Sequence, residues 1–216
     1  MLQIKNLTLT HKKDLREILS DFSCVFNNGD KAVVIGEEGN GKSTLLKWIY
    51  HPELIEEYCD AEGERLISGE VLGYLAQELP KEDQQKSVYE FFSEQESFWN
   101  QTPKELNQTA IKFHIAPDFF YREQQMSTLS GGEKVKAQLM RILFAEPTVL
   151  LLDEPSNDID IETLETLEEL ILSWDKIAIY ISHDETLIER TANKIIHIEQ
   201  IRRKTKNRFC IANTSY

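Results

Sequence analysis

A nine-residue motif that joins a predicted strand to a predicted helix constrains this chain's architecture more than any other feature. Lys31-Ala32-Val33-Val34-Ile35 is a short apolar, β-branched run that reads as a buried strand, and it leads into Gly36-Glu37-Glu38-Gly39-Asn40-Gly41-Lys42-Ser43-Thr44. The loop fits the phosphate-binding pattern GxxxxGK[ST] in the strand-loop-helix setting that the pattern needs. Its glycines let consecutive backbone N–H groups turn inward around phosphate oxygens, and a helix predicted over residues 42–50 adds its positive N-terminal end. Lys42 then reaches the β and γ phosphates, and Ser43 offers its hydroxyl to Mg²⁺. Glu37 and Glu38 are expected to point away from those phosphates. A plain glycine-rich turn is the competing reading, against which strand, motif and helix agree.

A second buried-strand run, Thr148-Val149-Leu150-Leu151-Leu152, ends in Asp153-Glu154-Pro155. Open α/β sheets place their chemistry at the C-terminal ends of parallel strands. Neighbouring strand residues point opposite ways, so the two acids are expected to divide their work. Asp153 suits a metal held through water, and Glu154 suits polarising an attacking water. Between loop and strand lies Leu129-Ser130-Gly131-Gly132-Glu133. Ser130 is a good N-cap for a helix over residues 131–146, with Glu133 in its first turn and Val135, Leu139, Ile142 and Leu143 on its apolar face. Gly131 and Gly132 leave backbone N–H groups open to an anion at that helix end.

Taken in order, the Gly36 loop, Gln77, Ser130-Gly131-Gly132, Asp153-Glu154, Asp160 and His183 resemble the motif series of an ATP-binding cassette (ABC) ATPase over nearly the whole chain. The resemblance implies an α/β fold: a mostly parallel phosphate-loop sheet with flanking helices, an antiparallel N-terminal β part and a small helical subdomain. It implies ATP and Mg²⁺ as ligands, with Ser43, Gln77 and Asp153 around the metal and Glu154, Gln77 and His183 as the catalytic set. Ser130, Gly131, Gly132 and Glu133 would face nucleotide held by a second cassette, in a homodimer or a tandem protein, and Asp160 would help align that facing site. Hydrolysis is thus expected only in a pair. His11 falls where the family carries an aromatic residue that stacks on adenine. An imidazole offers less stacking area. Glu38 replaces the Asn of many cassettes and adds negative charge beside a polyanion.

Within the family the chain most resembles the ABC-F proteins, tandem cassettes that act on ribosomes, some of which protect against ribosome-targeting antibiotics. Residues 151–165, the Ser182-His183-Asp184 segment and the stretch 207–216 carry that likeness; Ser156 and Asp158 depart from the usual Thr-Asn-His start of the D-loop. The ribosome is the further partner this implies. A transporter's ATP-binding subunit, working with separate membrane-spanning subunits, is the alternative. A nucleotide-gated module with negligible turnover is a third.

At 216 residues the chain can bury about 70% of its unfolded surface in one domain. Residues 1–83 and 129–216 are expected to form the β part and phosphate-loop core, with 1–35 as the β-rich N-terminal layer and about 84–128 mostly helical. A helix over 161–174 is expected to bury Ile161, Leu164, Leu167, Leu170 and Ile171. Residues 176–182 alternate like a half-buried strand before His183. A net charge of −13 opposes broad contact with a phosphate backbone. Arg202, Arg203, Lys204, Lys206 and Arg208 run against that trend, as a solvated strand edge or as a contact for RNA or an acidic partner. Cys24, Cys59 and Cys210 are odd in number and scattered, which fits a reducing compartment. With no apolar run near 18 residues and no signal-like start, the expectation is a cytoplasmic protein without direct membrane insertion.

Lys42→Ala should abolish tight ATP binding. Titration with a fluorescent ATP analogue checks this, and unchanged affinity would contradict the phosphate-loop assignment.

Overall fold

Two alternating strands open the chain: β1 (Leu2–His11) and β2 (Arg16–Phe26) pair antiparallel and bury Leu2, Ile4, Leu7, Leu9, Leu19 and Phe22. A computed structural model describes residues 1–200 and 207–213. After the turn at Asn27-Asn28-Gly29, β3 (Lys31–Gly36) leads through the glycine loop into α1 (Lys42–Tyr50). β4 (Cys59–Ile67) then returns to pair antiparallel with β1, giving a three-stranded sheet in the order β2-β1-β4. The sequence pattern holds no signal for β4. Most of its side chains are exposed, so its register comes from backbone pairing rather than from apolar alternation.

β5 (Leu72–Leu75) starts the second half. Four helices follow: α2 (Lys81–Gln84), α3 (Val88–Ser93), α4 (Glu96–Trp99) and α5 (Pro103–Lys112). The chain continues as α6 (Gly131–Phe144), β6 (Val149–Asp153), α7 (Ile161–Ser173), β7 (Ile177–Ile181), α8 (Glu185–Thr191), β8 (Lys194–Gln200) and β9 (Asn207–Asn213). The second sheet runs β5-β6-β7-β3-β8-β9, parallel throughout except for the antiparallel β8-β9 edge.

This sheet is covered on both faces, which explains its near-continuous apolar strands. Val33, Leu150, Leu152, Ala178 and Tyr180 face one core with α6, α7 and the helical stretch; Ala32, Val34, Val149, Leu151, Ile177, Ile179 and Ile181 face the other with α1 and the three-stranded sheet. Three expectations change accordingly. β3 belongs to the middle of the parallel sheet, not to the N-terminal layer. β7 is buried at every position instead of half-buried. Ile161 is exposed, while Thr163 and Thr166 join Leu167, Leu170 and Ile171 on the buried side of α7.

Helix starts follow local chemistry. Ser87, Thr102 and Ser130 each close a capping box with the Glu three residues on, satisfying backbone N–H groups that the first turn leaves free. Phe92 lies centrally among the aromatic side chains of the helical stretch, 5.0 Å from the Phe120 ring and 6.0 Å from Phe144 at the end of α6. The Arg141 guanidinium sits 4.3 Å over the Phe91 ring and donates to Gln95 Oε1 at 3.2 Å, so α6 is fastened to this stretch by packing and by charge. Of the basic C-terminal cluster, residues 202–206 lie outside the described residues, and Arg208 is described only as a backbone position in β9.

Phe92→Ala should cost about 3–5 kcal/mol, because the surrounding rings cannot collapse into the space. A lowered urea midpoint at unchanged slope checks it.

Candidate functional site

The parallel strands β3, β5, β6 and β7 end on one edge of the sheet and deliver their following loops together. A cavity of about 540 Å³ opens there. Glu38, Gly39, Gly41, Lys42, Ser43 and Thr44 form one wall, Gln77 and Glu154 another, and His11, Arg16, Ile18 and Tyr58 the remainder.

The glycine loop wraps the start of α1 as its motif predicts. Gly41 is the N-cap at φ +82°, a left-handed conformation that favours glycine, and a Cβ there would lie 1.9 Å from Ile18 Cγ2. No side chain caps this helix and no acid occupies its first turn, so its N–H groups remain available to an anion. Lys42 Nζ donates to the carbonyls of Gly36 and Glu37 at 2.9 and 3.0 Å. Burial lowers the Lys42 pKa, opposed by the charges of Glu154, Glu38 and Asp153. Asn40 is buried and its Nδ2 donates to the Ile198 carbonyl at 3.3 Å, which ties the loop to β8. Glu37 and Glu38 are exposed, yet Glu38 borders the cavity and acts on Lys42, contrary to the expectation that both turn away.

Asp153 and Glu154 separate because the backbone changes course between them. β6 ends at Asp153, and Glu154 stands at φ +50°, outside strand geometry. The Asp153 carboxylate accepts from Ser43 Oγ at 2.8 Å and from the Tyr74 hydroxyl at 3.0 Å. Burial raises its pKa, and those two hydrogen bonds pull it back. Burial also pushes the Tyr74 phenol far above its ordinary range, so it remains a donor. Glu154 Oε2 accepts from Gln77 Nε2 at 3.1 Å and from Asn157 Nδ2, while His183 Nε2 lies 3.9 Å from Oε1. A Ser156–Ser182 hydroxyl pair at 3.0 Å links the loops that carry Glu154 and His183.

Ser130, Gly131, Gly132 and Glu133 do not line this cavity. Ser130 Oγ accepts from the Glu133 N–H at 3.1 Å, and Glu133 Oε2 accepts from the Ser130 N–H at 3.0 Å. The two glycines have an additional role within the chain. A Cβ on Gly131 would fall 2.1 Å from the Asp158 carbonyl oxygen, and one on Gly132 would fall 2.4 Å from Thr163 Oγ1. They let α6 meet the segment that opens α7. Asp160, predicted to serve a facing site, is the N-cap of α7 and accepts from the Thr163 N–H at 2.8 Å. His11 does line the cavity, but Tyr58 lies beside it at 6.4 Å between ring centres. Tyr58 hydrogen-bonds the Thr44 side chain, and burial raises its pKa.

Sequence reasoning missed Arg16, Ile18, Tyr58, Tyr74 and Asn157. Tyr74 carried a usable signal, since it stands on the strand that leads to Gln77. Asn157 stands in the D-loop, where only Asp160 was singled out, and Arg16, Ile18 and Tyr58 come from strands and loops without a motif. The donor set fits Mg²⁺: Ser43, Asp153 and the Gln77 amide offer hard oxygens, and Mg²⁺ keeps waters and phosphate oxygens instead of an all-protein cage. Among the described residues no cluster of three or more His, Cys, Asp or Glu could hold a metal by itself.

A family model described as "ABC transporter" matches residues 19–157. The ATP-binding protein Uup of Escherichia coli (strain K12) is 33% identical over 187 residues, covering 83% of this chain and 28% of Uup. The energy-dependent translational throttle protein EttA of Haemophilus influenzae is 31% identical over 196 residues, covering 91% of this chain and 34% of EttA. The chain therefore spans about a third of the length of the curated relatives it matches. In fold it is similar to a dimeric ATP-binding cassette solved in a post-hydrolysis state with ADP and phosphate, at a TM-score of 0.70 and 19% identity over 94% of this chain and 97% of that one. Among the described residues no helix is long and apolar enough to cross a membrane.

Gly131→Ala gives a test in which two effects have opposite signs. Helix propensity alone predicts a gain of about 1 kcal/mol, whereas the approach to a backbone carbonyl predicts a net loss of about 1–3 kcal/mol. Thermal unfolding decides between them.

Proposed function

The chain belongs to the ABC transporter family of ATP-binding cassettes, and on that footing we propose that it binds ATP with Mg²⁺ and hydrolyses it at composite sites shared with a second cassette. The observation that carries this reading is the division of the site. The glycine loop, Gln77 and Glu154 line one cavity, while the capped start of α6 lies outside it. A helix start set apart from its own chain's phosphate loop has a use when a facing cassette brings nucleotide to it.

In this reading Lys42 exchanges its two backbone carbonyl acceptors for phosphate oxygens, and the N–H groups at the start of α1 hold the remainder. Bound Mg²⁺ supplies charge neutralisation across the β and γ phosphates, with Ser43, Asp153 and Gln77 as the residues that would hold it. Gln77 has one end for each neighbour: its Nε2 donates to Glu154, leaving its carbonyl oxygen for the metal. Glu154 acts as general base on the attacking water, and His183 contacts the γ-phosphate. His11 and Tyr58 form the base-side wall, and residues 84–128 act as a helical subdomain that carries the start of α6 toward the partner.

We further propose that the cassette is one of an ABC-F-type pair acting in the cytoplasm at the ribosome. Its similarity to EttA, whose name places that protein in translation, supports this over a transporter subunit. Nucleotide-dependent co-sedimentation with ribosomes tests it; exclusive association with membrane proteins would overturn it.

Glu154→Gln should preserve ATP binding and lower turnover by about 10²- to 10⁴-fold, the range for losing a general base. For the pair, the ATPase rate should rise with the square of protein concentration below saturation. A rate proportional to concentration throughout would place the whole site in one chain.

A further inference from the structure

Glu154 has two oxygens in unlike surroundings. Oε2 takes amide donors from both Gln77 and Asn157. Oε1 has His183 Nε2 at 3.9 Å, beyond hydrogen-bond length. A carboxylate oxygen has about two lone-pair sites. Two donors fill Oε2, and Oε1 keeps its electron pairs. The backbone fixes the same geometry, since the Asn157 N–H donates to the Glu154 carbonyl at 3.2 Å across the turn that Glu154 enters at φ +50°. The hydroxyl pair Ser156–Ser182 braces this turn against the His183 loop.

We propose that Asn157 is a positioning residue for hydrolysis: with Gln77 it holds Oε2, so that Oε1 is the atom that takes the proton from water. The inference rests on the reading of Glu154 as the general base. In the step, one water proton passes to Oε1 as the water oxygen bonds to the γ-phosphorus. The bond from that phosphorus to the bridging oxygen breaks, and its electron pair leaves with ADP. A carboxylate free to rotate about its last torsion would present either oxygen, and productive orientation would be lost part of the time.

The experiment compares steady-state ATP hydrolysis and ATP-analogue affinity for the full chain, Asn157→Ala, Asn157→Asp and Glu154→Gln. Asn157→Ala removes one hydrogen bond to a charged group and should lower kcat by about 10- to 100-fold, with KM and affinity within about twofold of wild type. Asn157→Asp is the sharper variant. Asp suits a turn as well as Asn does but brings a second carboxylate toward Glu154, so positioning predicts a loss at least as large. A role in the turn alone predicts near-normal turnover for Asn157→Asp. That result would overturn the proposal, as would an unchanged kcat in Asn157→Ala, or KM and affinity worsening in step with kcat. If Glu154→Gln is inactive while both Asn157 variants turn over normally, this inference alone falls. If Glu154→Gln turns over like wild type, the base assignment falls and this inference with it.

Discussion

Parallel pairing of β5, β6, β7 and β3 is the constraint on which the site depends. Each of these strands runs in the same direction, so the residues after Leu75, Asp153, Ile181 and Gly36 emerge on one edge. Parallel strands need crossovers that cover the sheet, and coverage of both faces buries every position of β6 and β7, which are apolar except at Asp153, the end of β6. The same burial that stabilises the sheet leaves its loops as the place where polar groups can gather. Ser43, Gln77, the Asp153-Glu154 pair and His183 come from distant stretches of sequence and meet in space for this reason.

Within that edge, short hydrogen bonds turn proximity into geometry. Ser43 and Tyr74 each donate to a different oxygen of Asp153, which orients a carboxylate that burial would otherwise drive toward its neutral form. Gln77 and Asn157 do the corresponding work on Glu154. One strand, β5, thus serves both acids: Tyr74 near its end reaches Asp153, and Gln77 just beyond it reaches Glu154. The two acids follow each other directly, but the left-handed turn at Glu154 gives them separate partners.

The start of α6 shows how one motif can satisfy two demands. Glycines at 131 and 132 open the helix whose cap is Ser130, and they also admit Asp158 and Thr163 at distances that no Cβ would tolerate. Their presence is therefore explained in part by packing inside the chain. Arg141 and Phe144, farther along α6, join the same helix to the aromatic cluster of residues 91–120. Movement of the helical stretch would carry the helix start with it.

The sequence alone determined the features whose signal is local. The strand-loop-helix at residues 31–50, the carboxylate-tipped strand at 149–153 and the Ser130 cap of the helix that follows each depend on residues close together in the chain, and each was legible there. Burial of β7 on both faces, exposure of Ile161 and the existence of β4 were not, because these depend on what lies opposite. The same holds in the site. Only the tertiary structure decided that Tyr58 joins His11 along one wall, that Tyr74 holds Asp153, and that Asn157 shares Glu154 with Gln77. Propensity and motif act over a few residues, whereas a hydrogen bond between residues 77 and 154 exists only once the sheet has set their strands side by side.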